Sequence, residues 1–270
     1  MKATKRVWTL CSVLGVLAVA GNANAQTYLV TDEDQQVCYI GYPRTGDNSQ
    51  TGDNTYQSRW RGDQGWVNFL WYGFNFNVSD WDQGFGYENV DDCDRPLCRT
   101  ISALYALYTS DPVPVTSTSD YSGSVLHWGG NFANSRIDEL DARCPHPPHE
   151  ALTQWGPIID NWTQLYPGFF YDDYVVERAA IIMHESRHAD WYGHNADPYC
   201  PRGSSCDSNW DYQGANTFYV GYLWWYWYQA VYAPAGSKLI AKLMANIELA
   251  IGYQTRPPWY ITCGSPEEPC

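Results

Sequence analysis

The chain has 270 residues, 44% of them hydrophobic and 17% charged, enough to bury the core of one large domain or two small ones, which excludes disorder as the main state. With 16 Lys plus Arg against 30 Asp plus Glu the formal charge is −14, so the positive field that holds a nucleic-acid backbone is missing and no nucleic-acid partner is expected. Tryptophan, tyrosine and phenylalanine make up 16% of the chain, and so many rings must form a core, a ligand platform or both.

Residues 1–25 open with Lys2, Lys5 and Arg6, continue as an apolar run from Val7 to Ala20, and close on Ala23-Asn24-Ala25. That order predicts a secretory signal peptide cut before Gln26, because the run is too short for a membrane span and ends in a small-x-small cleavage pattern. The expected location is secreted or periplasmic, with no membrane span left after cleavage. Loss of the three basic residues takes the formal charge from −14 to −17. It also removes Cys11, leaving Cys38, Cys93, Cys98, Cys144, Cys200, Cys206, Cys263 and Cys270. An even set of cysteines in an oxidising compartment predicts disulfides. Short loops close most easily, which favours Cys93–Cys98, Cys200–Cys206 and Cys263–Cys270 and leaves Cys38 to pair with Cys144.

From Gln26 to about Pro112 the chain is rich in Gly, Asp, Asn and aromatics. Leu70, Tyr72, Phe74, Phe76 and Val78 alternate, and a period of two predicts a strand over 66–78. Two copies of Thr-Gly-Asp-Asn, at 45–48 and 51–54, read as solvated turns. A short helix is expected from about Thr100 to Tyr108, and a Ser/Thr/Pro/Asp stretch over 109–124 marks a surface connection. Helical periodicity then predicts shorter segments near 135–142 and 150–165 and three longer helices: about 173–192 closed by Gly193, 208–232, and from Ser237 onward. The second of these carries Leu223-Trp224-Trp225-Tyr226-Trp227-Tyr228 and reads as an aromatic packing helix. Gly214 and Gly221 on one face of it admit a close helical neighbour.

The chemistry concentrates in 184–194, His-Glu-Ser-Arg-His-Ala-Asp-Trp-Tyr-Gly-His, which holds three of the six histidines. His184 and His188, four apart on a helix, project from one face about 5–6 Å apart at Cβ and fit two positions of a tetrahedral Zn²⁺. Glu185 lies beside them, placed to touch a water on the metal without ligating it. The cluster Cys144-Pro145-His146-Pro147-Pro148-His149 reads more simply as a proline-stiffened loop.

The His-Glu-x-x-His pattern resembles the zincin metallopeptidases, and His194, ten residues after His184, has the third-ligand spacing of the metzincin clan. Trp191 stands where that clan has glycine. The resemblance covers eleven residues and their helical setting, and it implies Zn²⁺ on His184, His188 and His194. Asp190, Asp211 and Glu248 are the carboxylate alternatives for the third ligand. It further implies a hydrolase acting on a protein or peptide substrate, in which a zinc-bound water activated by Glu185 attacks the carbonyl. A non-catalytic metal-binding protein and an aromatic carbohydrate- or cell-surface-binding protein are the other readings. The expected fold class is α+β, a single secreted domain over 26–270. In it a strand-rich aromatic lobe over about 26–115 packs on a helical lobe over about 125–270 that carries the zincin-like helix, stapled by disulfides.

Overall fold

The computed structural model describes residues 26–31, 37–42, 53–82, 84–111, 124–143, 150–156, 159–189 and 216–255. In chain order these form β1 (Gln26–Thr31), β2 (Val37–Tyr42), α1 (Asp53–Trp60), α2 (Gln64–Gly73), α3 (Val78–Trp81), α4 (Pro96–Thr109) and α5 (Val125–Asn134). They continue with β3 (Glu139–Ala142), β4 (Ala151–Gly156), β5 (Ile159–Leu165), α6 (Pro167–Tyr171), α7 (Val175–Ala189), α8 (Asn216–Tyr232) and α9 (Ala235–Thr255). The class is α+β, as expected.

Helix α4 is the axis of the core. Pro96 starts it, where a missing N–H costs nothing and a preset φ helps. Its side chains from Pro96 to Leu104, and again Ala106 and Leu107, are buried, as a helix enclosed on all sides must be. Arg99 is tolerated there because its guanidinium group is used: Nε donates to Cys93 O at 2.9 Å and Nη1 to Phe170 O at 2.8 Å. The expected Cys93–Cys98 disulfide closes the loop that feeds this helix. The other expected pairings lie outside the described residues or side chains.

Helix α7 lies against α4, α8 packs on α7, α9 packs on α8, and α5 wedges among α4, α7 and α8. Glycine sets the closest of these approaches. A Cβ on Gly221 in α8 would stand 2.8 Å from the Ala180 carbonyl oxygen and 3.3 Å from His184 Cβ, so α8 meets α7 with nothing between their backbones. Gly221 thus plays the part expected of it, and Gly214 lies outside the described residues. Trp224 and Trp227 of α8 are 0% and 1% exposed. The aromatic run is therefore packing material, which withdraws those two rings from any sugar-binding platform.

Two expectations are corrected. Residues 66–78 form no strand: α2 covers Gln64–Gly73, capped by Asp63 Oδ1, which accepts from Trp66 N at 3.2 Å. Leu70 is fully buried while Tyr72 is 78% exposed, so the two do not share a face. The helical set Val67, Leu70 and Phe74 is the buried one. Residues near 135–142 and 150–165 are not helical but form a three-stranded sheet in the order β3-β5-β4, parallel between β3 and β5 and antiparallel between β4 and β5. The division into a strand-rich lobe and a helical lobe is not shown among the described residues. Beyond the β1–β2 ladder the elements described in the first part, α1 to α4, are helices, and the larger sheet belongs to the second part of the chain.

Candidate metal centre

Helix α7 begins at Val175, where Glu177 Oε2 accepts from Tyr174 N at 2.9 Å and satisfies one of the open N–H groups of the first turn. The expected openers, Asp172 and Asp173, precede it. The last described turns carry His184, Glu185 and His188, and these three form a group able to hold a metal ion, their ligand atoms all within 4.8 Å of one another. His184 Nε2 and His188 Nε2 are 3.1 Å apart, with the rings nearly perpendicular at 86°. Two nitrogens bound at about 2.0–2.1 Å to one tetrahedral zinc stand roughly 3.3 Å apart. The separation fits such a pair. The rings neither diverge nor are sealed in hydrocarbon, since the His184 side chain keeps 15% of its surface exposed.

Glu185 is 4% exposed. Oε1 lies 4.0 Å from His184 Nε2, and Oε2 accepts from Thr153 Oγ1 at 2.6 Å. Thr153 sits on β4 directly opposite Thr163 of β5, and their hydroxyls are 2.8 Å apart. The sheet therefore offers α7 a polar spot at one position, under the carboxylate. Tyr166, just past β5, donates to Gln164 Oε1 at 2.7 Å. Burial raises its phenol pKa, Arg143 works against that rise, and the Glu185 carboxylate adds to it, which places the phenol within electrical reach of the site.

The structure thus brings His184, Glu185 and His188 together. His194 and the alternatives Asp190 and Asp211 lie outside the described residues, and so does the side chain of Glu248 in α9. His146 and His149 lie outside them as well. Sequence reasoning missed Thr153, Thr163 and Tyr166. The signal available for the two threonines was their shared place on the inward face of alternating strands, which apolar periodicity does not report.

A second acidic group, Asp80, Glu139 and Asp141, also lies within ligand range of a common point. Here a guanidinium already fills the position. Arg143 Nη1 binds Asp80 Oδ1 at 2.7 Å, Nη2 binds Asp141 Oδ2 at 2.8 Å, and the group rests over the Trp162 ring at 5.3 Å. Asn77 Nδ2 donates to Glu139 Oε1 at 2.8 Å and to Asp80 Oδ2. This is an ion-pair hub that ties α3 to β3.

None of the described helices is long and apolar enough to cross a membrane. No family model, characterised protein or solved structure matches the chain.

Proposed function

We propose that this protein is an exported zinc-dependent hydrolase, most simply a peptidase acting on a protein or peptide substrate. The observation that carries the reading is the 3.1 Å separation of the two Nε2 atoms, with a buried carboxylate oxygen 4.0 Å from one of them. His184 and His188 are the two ligands the helix supplies, and His194 is the third by its spacing. Bound zinc supplies a Lewis acid that lowers the pKa of water from about 15.7 towards roughly 7 and steadies negative charge on the substrate oxygen. Glu185 takes the proton as water attacks the carbonyl and passes it to the leaving amine. Its fixed position beside the imidazoles suits a group that must accept and return one proton in a single turnover.

The test is zinc content and turnover on the same samples. Purified wild-type protein is expected to hold one zinc, His184→Ala and His188→Ala to lose it, and Glu185→Gln to keep it while hydrolysis of fluorescein-labelled casein falls by at least about a hundredfold. Wild-type protein without zinc sinks the proposal. Zinc retained with equal casein hydrolysis by wild type and Glu185→Gln removes Glu185 from the chemistry, and zinc with no hydrolysis by either leaves a metal-binding protein without turnover.

A further inference from the structure

We propose that Thr153, backed by Thr163, is the positioning residue that keeps Glu185 a proton acceptor and prevents it from becoming a metal ligand. This inference rests on the metal-site reading above. The need for such a residue follows from distance. Oε1 of Glu185 is 4.0 Å from His184 Nε2, whereas two ligand atoms on one zinc stand roughly 3.3 Å apart. A movement on the order of 1 Å therefore separates a base that waits beside the metal from a ligand that closes it. A carboxylate on the same helix as two imidazoles has every electrostatic reason to make that movement, because the cation attracts it.

What opposes the movement is a bond to a different element. Thr153 Oγ1 lies 2.6 Å from Glu185 Oε2, within the range of a hydroxyl donating to an ionised carboxylate. The order of donation is then forced. A carboxylate only accepts and a threonine has one hydroxyl proton, so the Thr153 proton goes to Glu185 and the Thr153 oxygen accepts from Thr163 at 2.8 Å. The Glu185 carbonyl oxygen, 3.3 Å from the same hydroxyl, is a weaker competitor for that proton. Thr163 is fully buried and Thr153 is 7% exposed, so little water reaches the chain of hydroxyls to replace either link. Because Thr153 and Thr163 face each other across the β4–β5 ladder, the sheet holds the carboxylate at its distance from the helix's own imidazoles.

The experiment compares Thr153→Val, which keeps the shape and deletes the hydroxyl, with Thr153→Ser, which keeps the hydroxyl. Each is read by zinc affinity in competition with a chromogenic chelator, by the visible spectrum of the Co²⁺-substituted protein, and by casein hydrolysis. Thr153→Val is expected to lose roughly 10- to 100-fold in kcat. It is also expected to bind zinc at least as tightly as wild type and to change its Co²⁺ absorption as the freed carboxylate joins the metal. Thr153→Ser is expected to restore all three readouts. If Thr153→Val does not fold, Thr163→Val, which deletes only the supporting link, is expected to give a smaller change of the same sign. Unchanged kcat and Co²⁺ spectrum in a zinc-bound Val variant overturn this inference alone, and so does joint loss of zinc affinity and thermal stability, the mark of a merely structural role. A wild-type protein that binds no zinc overturns the metal reading and this one together.

Discussion

Asp141 shows how a buried group is governed by the number of its neighbours as much as by their nature. It sits 1% exposed, and burial pushes its carboxyl up to about 8; Arg143 pulls it down, and Asp80 and Glu139 raise it further. One guanidinium serves Asp80 and Asp141 while Asn77 donates to Glu139, and Asp141 is the one that burial leaves holding its proton at neutral pH. An amide in its place keeps an oxygen for Arg143 Nη2. Asp141→Asn, which needs no proton taken up on folding, is therefore expected to match wild type below about pH 4 and to exceed its stability at pH 7 in urea unfolding. Arg143→Met, which strands two buried acids, is expected to cost about 3–5 kcal/mol. Equal costs would show that the hub is not organised by its single cation. The residues of the candidate metal site differ in how openly the sequence displays them. His184, Glu185 and His188 are legible because helical geometry alone places i and i+4 on one face. Thr153 is not, since it reaches Glu185 from 32 positions away and only the fold brings it there.

Among the elements, α8 bears on the candidate metal site through what it lacks at position 221. A methyl group there would press on the Ala180 carbonyl at 2.8 Å and on His184 Cβ at 3.3 Å. The backbone oxygen has no rotamer to yield, so the helices must part. Gly221→Ala is expected to cost about 1–3 kcal/mol despite alanine's better helix propensity and to weaken zinc binding by displacing His184. A variant of wild-type stability and zinc affinity would show that α8 has room to slide. The helices α4, α7, α8 and α9 were legible because their apolar residues recur at helical spacing. Segment 66–78 was misread because aromatics are so dense there that a period of two finds a face wherever it starts, and the Asp63 cap decided the matter. The strands β4 and β5 were hidden for the opposite reason. Their inward positions include Thr153 and Thr163, so the alternation of burial from Ala151 to Gln154 is not an alternation of hydrophobicity. The residues that blurred the pattern are the ones that hold Glu185.

The whole molecule carries a surplus of acid, −14 in formal charge, and places part of it where water is scarce. Burial raises Asp172 to about 6, and burial together with neighbouring carboxylates raises Asp173, while Asp141 reaches about 8. For each of these the folded chain binds its proton more tightly than the unfolded chain, whose aspartates titrate near 3.8. The stability they contribute is complete below that value and is withdrawn as pH climbs through the folded pKa values. The melting temperature measured in chelator is therefore expected to fall from pH 5 to pH 8, with a shallower fall over that range in Asp141→Asn. A curve that rises over that interval would contradict the assignment.

The β4–β5 pairing has one more consequence. Its register shifts between Gln154 and Gly156, the residue that pairs with Ile159, and side chains along a strand change sides with every residue. A slip of β4 by one residue against β5 would leave two strands that still pair, but it would turn Leu152 or Gln154 towards Glu185 where Thr153 now stands. A strand pair some thirty positions upstream is in this sense the gauge against which the acid is set. A change of register there would alter the candidate site even though it touches no histidine.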